Sequence, residues 1–285
     1  MALLLAPWAL LAVAAMWGIS FVWMKEILDQ QDVYSFLVCR FLVAVVAMLL
    51  INPKVVRSIN SKILLKGGLT GGALGLGYIL QTLGLERTTP AITGFVTGLY
   101  LVFTPVIGAL LLKERLPKAT WGFVALATIG LGVLSISGWS IGSGELFVLL
   151  SALLFAAHIL MLSAWSKDFD AYALTLVQLS TCTIVSAIPT VITGFTPPPD
   201  RQVWGVILFT AIFATVFAFI IQTWSQARIS ATKVAVILTM EVVFAALFSV
   251  ALGAEPLTLR ILIGGSLVLI SMIAIVQPRL SRTVG

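Results

Sequence analysis

Residues 79–116 read ILQTLGLERTTPAITGFVTGLYLVFTPVIGALLLKERL, and residues 220–257 read IIQTWSQARISATKVAVILTMEVVFAALFSVALGAEPL. Laid over each other at a shift of 141, with no gap, nine of the 38 positions are identical. They are Ile79/Ile220, Gln81/Gln222, Thr82/Thr223, Arg87/Arg228, Val102/Val243, Phe103/Phe244, Leu111/Leu252, Glu114/Glu255 and Leu116/Leu257. In so apolar a chain about four matches arise by chance. The four polar identities carry the weight, because polar residues are scarce here and coincidence rarely aligns them. The front of each half repeats at a shift of 138: Asp32-x-Tyr34 falls on Asp170-x-Tyr172, Trp17-Gly18 on Phe155-Ala156, Ser20 on His158 and Arg40 on Gln178. The change of shift places a three-residue insertion between Tyr172 and Ile220, for which Pro197-Pro198-Pro199 is the candidate. An internal repeat of this length sets the fold before any local reading does.

The chain of 285 residues is 60% hydrophobic and 10% charged, with a mean hydropathy of +1.12. A helix needs about 20 apolar residues to cross the hydrocarbon of a bilayer, and such stretches recur throughout. Lipid leaves backbone amides no partner outside a helix or a closed barrel. Continuous helical strings and frequent glycines exclude the barrel. The net charge of +6 fits cytoplasmic-loop bias rather than nucleic-acid binding. Cys39 and Cys182 lie inside apolar spans, so they read as packing residues and no disulfide framework is legible. The stretch from Met1 to Met24 lacks a basic leader segment and is long enough to span, so it reads as a first helix.

Ten spans are expected: 7–25, 34–51, 63–84, 91–112, 119–137, 145–165, 171–193, 203–225, 233–253 and 257–276. The connections are short and hold most of the Pro, Gly and charge. With a cytoplasmic N-terminus, twelve Lys and Arg fall inside and four outside, which sets both termini in the cytoplasm. Each repeat has an odd number of spans, so the two enter the membrane from opposite sides. The expected fold is an all-α integral membrane protein of two inverted five-helix repeats, residues 1–138 and 139–285. That arrangement marks secondary transporters, with the substrate site near the midplane between the repeats.

Trp17-Gly18-x-Ser20 in span 1, Arg40 in span 2, the run from Pro105 to Lys113-Glu114 closing span 4 and its partner from Glu241 to Glu255 closing span 9 resemble the drug/metabolite transporter superfamily. The form resembled is the ten-span one with two EamA repeats, and the likeness covers nearly the whole chain. Within it the chain is similar to bacterial amino-acid exporters of the YddG type. The resemblance implies an inner-membrane exporter with a cavity lined by spans 1, 3, 4, 6, 8 and 9. One departure is visible: family members often carry proline after the glutamate that corresponds to Glu241, and here that residue is Val242.

Unsatisfied polar side chains are costly in lipid, so polar faces of apolar helices should point inward. Tyr78, Gln81 and Thr82 share one face of span 3; Thr93, Thr97, Tyr100 and Thr104 form a stripe on span 4, where Pro105 could kink the helix and free a carbonyl. Span 6 aligns Ser151, Phe155 and His158, the one histidine, with Trp165 at the interface. Span 1 offers Trp17 and Ser20, too deep for an interfacial belt, and span 8 offers Gln222, the repeat mate of Gln81. Glu241 could accept a proton, pair with an ammonium, or only hydrogen-bond a neighbouring span. Arg40 sits about 9 Å into span 2 at 1.5 Å per residue, and reads as a structural salt bridge or a snorkelling side chain. Gly67, Gly71 and Gly75 mark a close helix contact, either static or sliding.

The expected substrate-binding set is therefore Trp17, Ser20, Tyr78, Gln81, Thr82, Thr97, Tyr100, Phe155, His158, Gln222 and Glu241, with no catalytic residue, metal or cofactor. Amides, hydroxyls, an imidazole and a carboxylate beside aromatic walls suit a small zwitterion, amino acids foremost. The alternative is a proton-coupled exporter of lipophilic cations with Glu241 as counter-ion. No spaced carboxylate pair or nucleotide-binding loop supports an enzyme or an ATP-driven pump. Monomer and homodimer both stay open.

Overall fold

The computed structural model describes residues 2–88, 90–111, 117–135, 142–252 and 257–276. Among them every regular element is helical: α1 (Ala2–Ile27), α2 (Val33–Ile51), a 3-10 turn (Pro53–Ser58), α3 (Ser61–Arg87), α4 (Pro90–Gly98), α5 (Tyr100–Leu111), α6 (Lys118–Ser135), α7 (Ser143–Trp165) and α8 (Ala171–Thr193). There follow α9 (Arg201–Ala211), a π-helical segment (Ile212–Phe217), α10 (Ala218–Gln226), α11 (Ala231–Leu238), α12 (Met240–Ala251) and α13 (Leu259–Val276). Seven of these stretches are long and apolar enough to cross a membrane, and Val96–Leu110 and Ile261–Ser271 are shorter apolar helices. Glu114 and Glu255, with Lys113, Arg115 and Leu116, lie outside the described residues.

The repeated Asp-x-Tyr is a helix start. Asp32 accepts from the Ser35 N–H at 2.8 Å and Asp170 from the Ala173 N–H at 2.8 Å, so each caps its helix, α2 and α8. A side-chain oxygen here satisfies one of the amide donors that a helix start leaves unpaired. These two equivalent helices run antiparallel. The Tyr172 hydroxyl, at the start of α8, donates to the Met48 carbonyl near the end of α2 at 2.6 Å. At the other end the Thr196 N–H, just past α8, donates to Ser35 Oγ at the start of α2 at 3.0 Å. The proline insertion therefore lies in a loop anchored on the other repeat.

Packing obeys the same exchange. Swapping α1 for α7, α2 for α8, α3 for α9–α10, α4–α5 for α11–α12 and α6 for α13 turns each major helix contact into another. The α1–α12 contact becomes α7–α5, α3–α7 becomes α10–α1 and α3–α8 becomes α9–α2, while α2–α8 and α6–α13 map onto themselves. The α3–α8 contact is the glycine stripe. A Cβ on Gly71 would stand 2.5 Å from the Gln178 carbonyl, and one on Gly67 or Gly75 would crowd Val177 or Cys182. Gly68 and Gly72, on the other side of α3, have nothing within 4 Å.

Spans 4 and 9, expected to be continuous, each break. α4 ends before Leu99 and α11 before Thr239, which are one residue apart under the repeat shift. At Leu99 the ladder tightens, with Leu99 N–H to the Val96 carbonyl at 3.2 Å and Val102 N–H to the Leu99 carbonyl at 2.9 Å. Pro105 lies beyond the break, inside α5. At Thr239 no proline is needed: its hydroxyl donates back to the Val236 carbonyl at 2.7 Å, and local back-bonding of this kind competes with the helical ladder. The Val242 departure thus leaves the break intact.

The outer surface is apolar, with Leu50, Leu110, Val191, Ile192 and Leu259 all exposed, while Thr82, Gln178, Thr215 and Gln226 are buried. That is the reverse of a water-soluble surface and suits a lipid solvent. Lys66 Nζ stands 4.0 Å from the Trp165 ring centre, a cation–aromatic pair at the helix ends.

Candidate substrate cavity

One cavity lies where α1, α3, α4–α5, α7, α10 and α11–α12 meet, and α2 reaches it through Arg40. Its lining bounds about 540 Å³ of atom-free space, counted with the open space at its mouth, and about 50 Å³ admits the centre of a water-sized molecule. One water needs about 10–15 Å³ by the second measure, so there is room for several waters or a small solute.

Its wall carries the repeat. Seventeen residues line it, and fourteen of them form seven pairs under the shifts of 138 and 141. These are Trp17/Phe155, Ser20/His158, Phe21/Ile159, Tyr78/Phe219, Gln81/Gln222, Thr97/Leu238 and Tyr100/Glu241. Met24, Arg40 and Leu74 have no mate in the wall. The cavity therefore sits on the pseudo-axis, and Tyr100 and Glu241 each follow the helix break of their own repeat.

Ten of the eleven residues expected from the sequence are in this wall; Thr82 is not. The Thr82 hydroxyl donates to the Tyr78 carbonyl one turn back at 2.8 Å, so it is satisfied by its own helix and needs no cavity. Ser20 is partly committed in the same way, to the Trp17 carbonyl at 2.8 Å. Gln81 Nε2 donates to Thr97 Oγ1 at 3.1 Å and ties α3 to α4. Gln222 Nε2 donates to Gln226 Oε1 at 2.9 Å, and Gln226 Nε2 bonds the Ile159 carbonyl at 2.7 Å and Ser163 at 2.8 Å, tying α10 to α7. The two repeat-related amides do not bond each other. His158 Nε2 meets Gln178 Oε1 at 2.8 Å, and Gln178 turns its own Nε2 to the Leu174 carbonyl. Nε2 of His158 therefore carries the ring proton and Nδ1 is left as acceptor.

The aromatic part is one cluster. The Tyr78 ring stands edge-on to Phe155 and Phe41 at 5.4 Å each and to Phe219 at 6.2 Å, and Phe219 is also 5.6 Å from Trp17 and 6.0 Å from His158. Edge contacts at these separations are the favoured aromatic geometry and keep the wall rigid. The π segment in span 8 adds an unexpected acceptor. Widening of the helical ladder frees carbonyls, and the Ala214 carbonyl accepts from Trp17 Nε1 at 2.8 Å and Arg40 Nη2 at 3.2 Å.

Arg40 corrects the sequence expectation. It neither snorkels, being 1% exposed, nor makes a salt bridge among the described residues. Its Nε donates to Thr215 Oγ1 at 2.8 Å, its Nη1 to Met24 Sδ at 3.7 Å, and its guanidinium carbon stands 4.8 Å from the Tyr78 ring centre. Glu241 is 4% exposed, and its carboxylate has no hydrogen-bond or ion-pair partner among the described residues. Tyr100 Oη and Gln222 Oε1, also in the wall, have no hydrogen-bond partner among the described residues. Burying an ion without compensation costs several kcal/mol. Such groups in a cavity form a ready set of contacts for a polar ligand. Among the described residues no group of His, Cys, Asp and Glu could hold a metal ion. The sequence offered for Arg40 only its depth in span 2 and its repeat mate Gln178; that it faces the cavity rests on the fold.

An α-helical fold of two repeats around a polar cavity defines a membrane carrier. The EamA-like transporter family matches this chain twice, over residues 4–136 and 142–277, and the chain belongs to that family. A protein of Archaeoglobus fulgidus described as an uncharacterized transporter is 36% identical over 273 residues, which cover 95% of this chain and 86% of that one. A second uncharacterized transporter from the same organism is 24% identical over 281 residues, 95% of this chain and 99% of that one. A solved crystal structure, 18% identical, superposes with a TM-score of 0.77 over 97% of both chains, and shares the fold.

Proposed function

We propose that this multi-pass membrane transporter exports small zwitterionic metabolites, neutral amino acids foremost, by alternating access around the central cavity. The units 1–138 and 139–285 act as the two inverted halves, and both termini lie in the cytoplasm below a bacterial inner membrane. The observation that carries the reading is the Glu241 carboxylate, buried in an aromatic cavity on the pseudo-axis with no partner among the described residues. It supplies an acceptor for an ammonium group. The orphan Tyr100 hydroxyl and Gln222 Oε1 add contacts, and Trp17, Tyr78 and Phe155 form the apolar wall. Ser20, Gln81, Thr97 and His158 complete the polar lining. Reconstitution into liposomes with a panel of radiolabelled amino acids, with and without a pH gradient, tests this. Accumulation of one or more neutral amino acids is expected; no uptake across the panel refutes it.

The same carboxylate supports a second reading, proton-coupled export of lipophilic cations. Glu241→Gln in a proton-gradient assay separates the two. Cation export that continues unchanged in the variant eliminates the second.

A further inference from the structure

Arg40 and Glu241 line one cavity from different repeats, are 1% and 4% exposed, and form no ion pair with each other or with any other described residue. Tyr78 lies within electrostatic reach of both charges. The groups that hold Arg40 are the Thr215 hydroxyl, the Ala214 carbonyl and the Met24 thioether, with the Tyr78 hydroxyl beside them, none of them charged. A guanidinium has five N–H donors. Three are engaged in these contacts, which fix the plane of the group, and the others are shared between the Tyr78 hydroxyl and the cavity that Arg40 lines. The repeat mates, Gln178 for Arg40 and Tyr100 for Glu241, are uncharged. The near-symmetric cavity is therefore electrically polar: the first repeat supplies the positive end and the second the negative end.

We infer that Arg40 is the carboxylate-binding pole of this cavity and Glu241 its ammonium-binding pole, so that the site selects molecules bearing both charges and discriminates against those bearing one. A fixed guanidinium fork matches a carboxylate in two parallel hydrogen bonds. A molecule with only an ammonium leaves Arg40 buried and uncompensated; one with only a carboxylate leaves Glu241 without the ammonium that would hold it as an anion. Each buried charge then penalises the wrong ligand, which is how a site rejects an analogue that lacks one group. The inference rests on the reading above that this cavity is the substrate site.

Thermal unfolding of the purified full-length protein in detergent, titrated with ligand, gives apparent affinities without requiring transport. The ligands are the neutral amino acid that shifts the midpoint most, its decarboxylated amine and its deaminated acid; for leucine these are 3-methylbutylamine and 4-methylpentanoate. Wild type is expected to bind the amino acid at least tenfold more tightly than either analogue. Arg40→Gln should lose the preference over the amine, and Glu241→Gln the preference over the acid. An amine that binds wild type as tightly as the amino acid overturns the two-pole inference. If the same preparation still exchanges labelled amino acid in liposomes, the transporter reading survives that result. No midpoint shift and no exchange with any amino acid overturns both. Should Arg40→Gln fail to fold because Thr215 loses its donor and Ala214 one of its two, the wild-type comparison decides alone. Arg40→Lys, which keeps the charge without the fork, should then show an intermediate preference.

Discussion

Arg40 and Gln178 hold equivalent positions in the two repeats, and only one of them is charged: Gln178 is joined to His158 at 2.8 Å, while Arg40 is held on the π segment by Thr215 and Ala214. The helix scaffold around the cavity is exchangeable between the repeats, and the side chains that give it chemistry are not. Exchangeable packing is what lets a carrier adopt inward-open and outward-open arrangements of similar energy.

Glu241→Gln should leave membrane abundance unchanged, because the carboxylate has no hydrogen bond or ion pair among the described residues to lose. A hydrogen bond to a charged group contributes about 1.5–3 kcal/mol, so the half-saturating concentration of a zwitterionic substrate should rise about 10- to 150-fold. Uptake titrations on quantified proteoliposomes measure both, and an unaltered half-saturation removes Glu241 from the binding site.

Trp17→Phe keeps an aromatic ring in the wall and deletes the Nε1 donor to the Ala214 carbonyl. Arg40 still satisfies that carbonyl, so the loss should be about 1 kcal/mol of stability. Trp17→Ala also opens the wall and should lower transport well below that of Trp17→Phe at equal abundance. His158→Ala should lower transport too, and it orphans Gln178 Oε1 at a cost of about 1–3 kcal/mol. Full transport in both alanine variants would place the two residues outside the site.

Gly18 explains the second residue of the Trp17-Gly18 motif. A Cβ there would stand 2.8 Å from both the Glu241 carbonyl and the Ala245 nitrogen, so α1 meets the α12 backbone directly. Gly18→Ala should destabilise the protein by about 1–3 kcal/mol, the usual range for overpacking, and shift the turn bearing Glu241. Gly72→Ala, inside α3 with nothing within 4 Å, should be neutral or stabilising by up to about 1 kcal/mol. Thermal midpoints in detergent compare the pair, and equal midpoints would contradict the close α1–α12 contact.

The inverted arrangement predicts opposite faces for the two capped connections. Cysteine at Asp29, before α2, should react with a membrane-impermeant maleimide in intact cells. Cysteine at Asp168, before α8, should react only after permeabilisation; both sites are exposed, and Cys39 and Cys182 are buried. Labelling of both from one side would contradict the antiparallel α2 and α8 seen here.

Composition and the offset repeat were enough to fix a helical membrane protein of two related halves, because lipid permits few backbone solutions and few residues can sit within it. The polar stripes pointed at eight of the cavity residues for the same reason, that a side chain that cannot face lipid must face inward, and Trp17 and Phe155 followed as aromatic neighbours on the same helix faces. Thr82 escaped that logic by bonding its own helix, which no spacing reveals. The broken spans at Leu99 and Thr239, the π segment and the inward Arg40 came only from the fold. A helix break depends on which backbone carbonyls find other donors, and Ala214 finds its donors, Trp17 and Arg40, 197 and 174 residues away along the chain. Local sequence determined which groups had to avoid lipid; tertiary packing decided which of them were left without a protein partner and so could take a ligand.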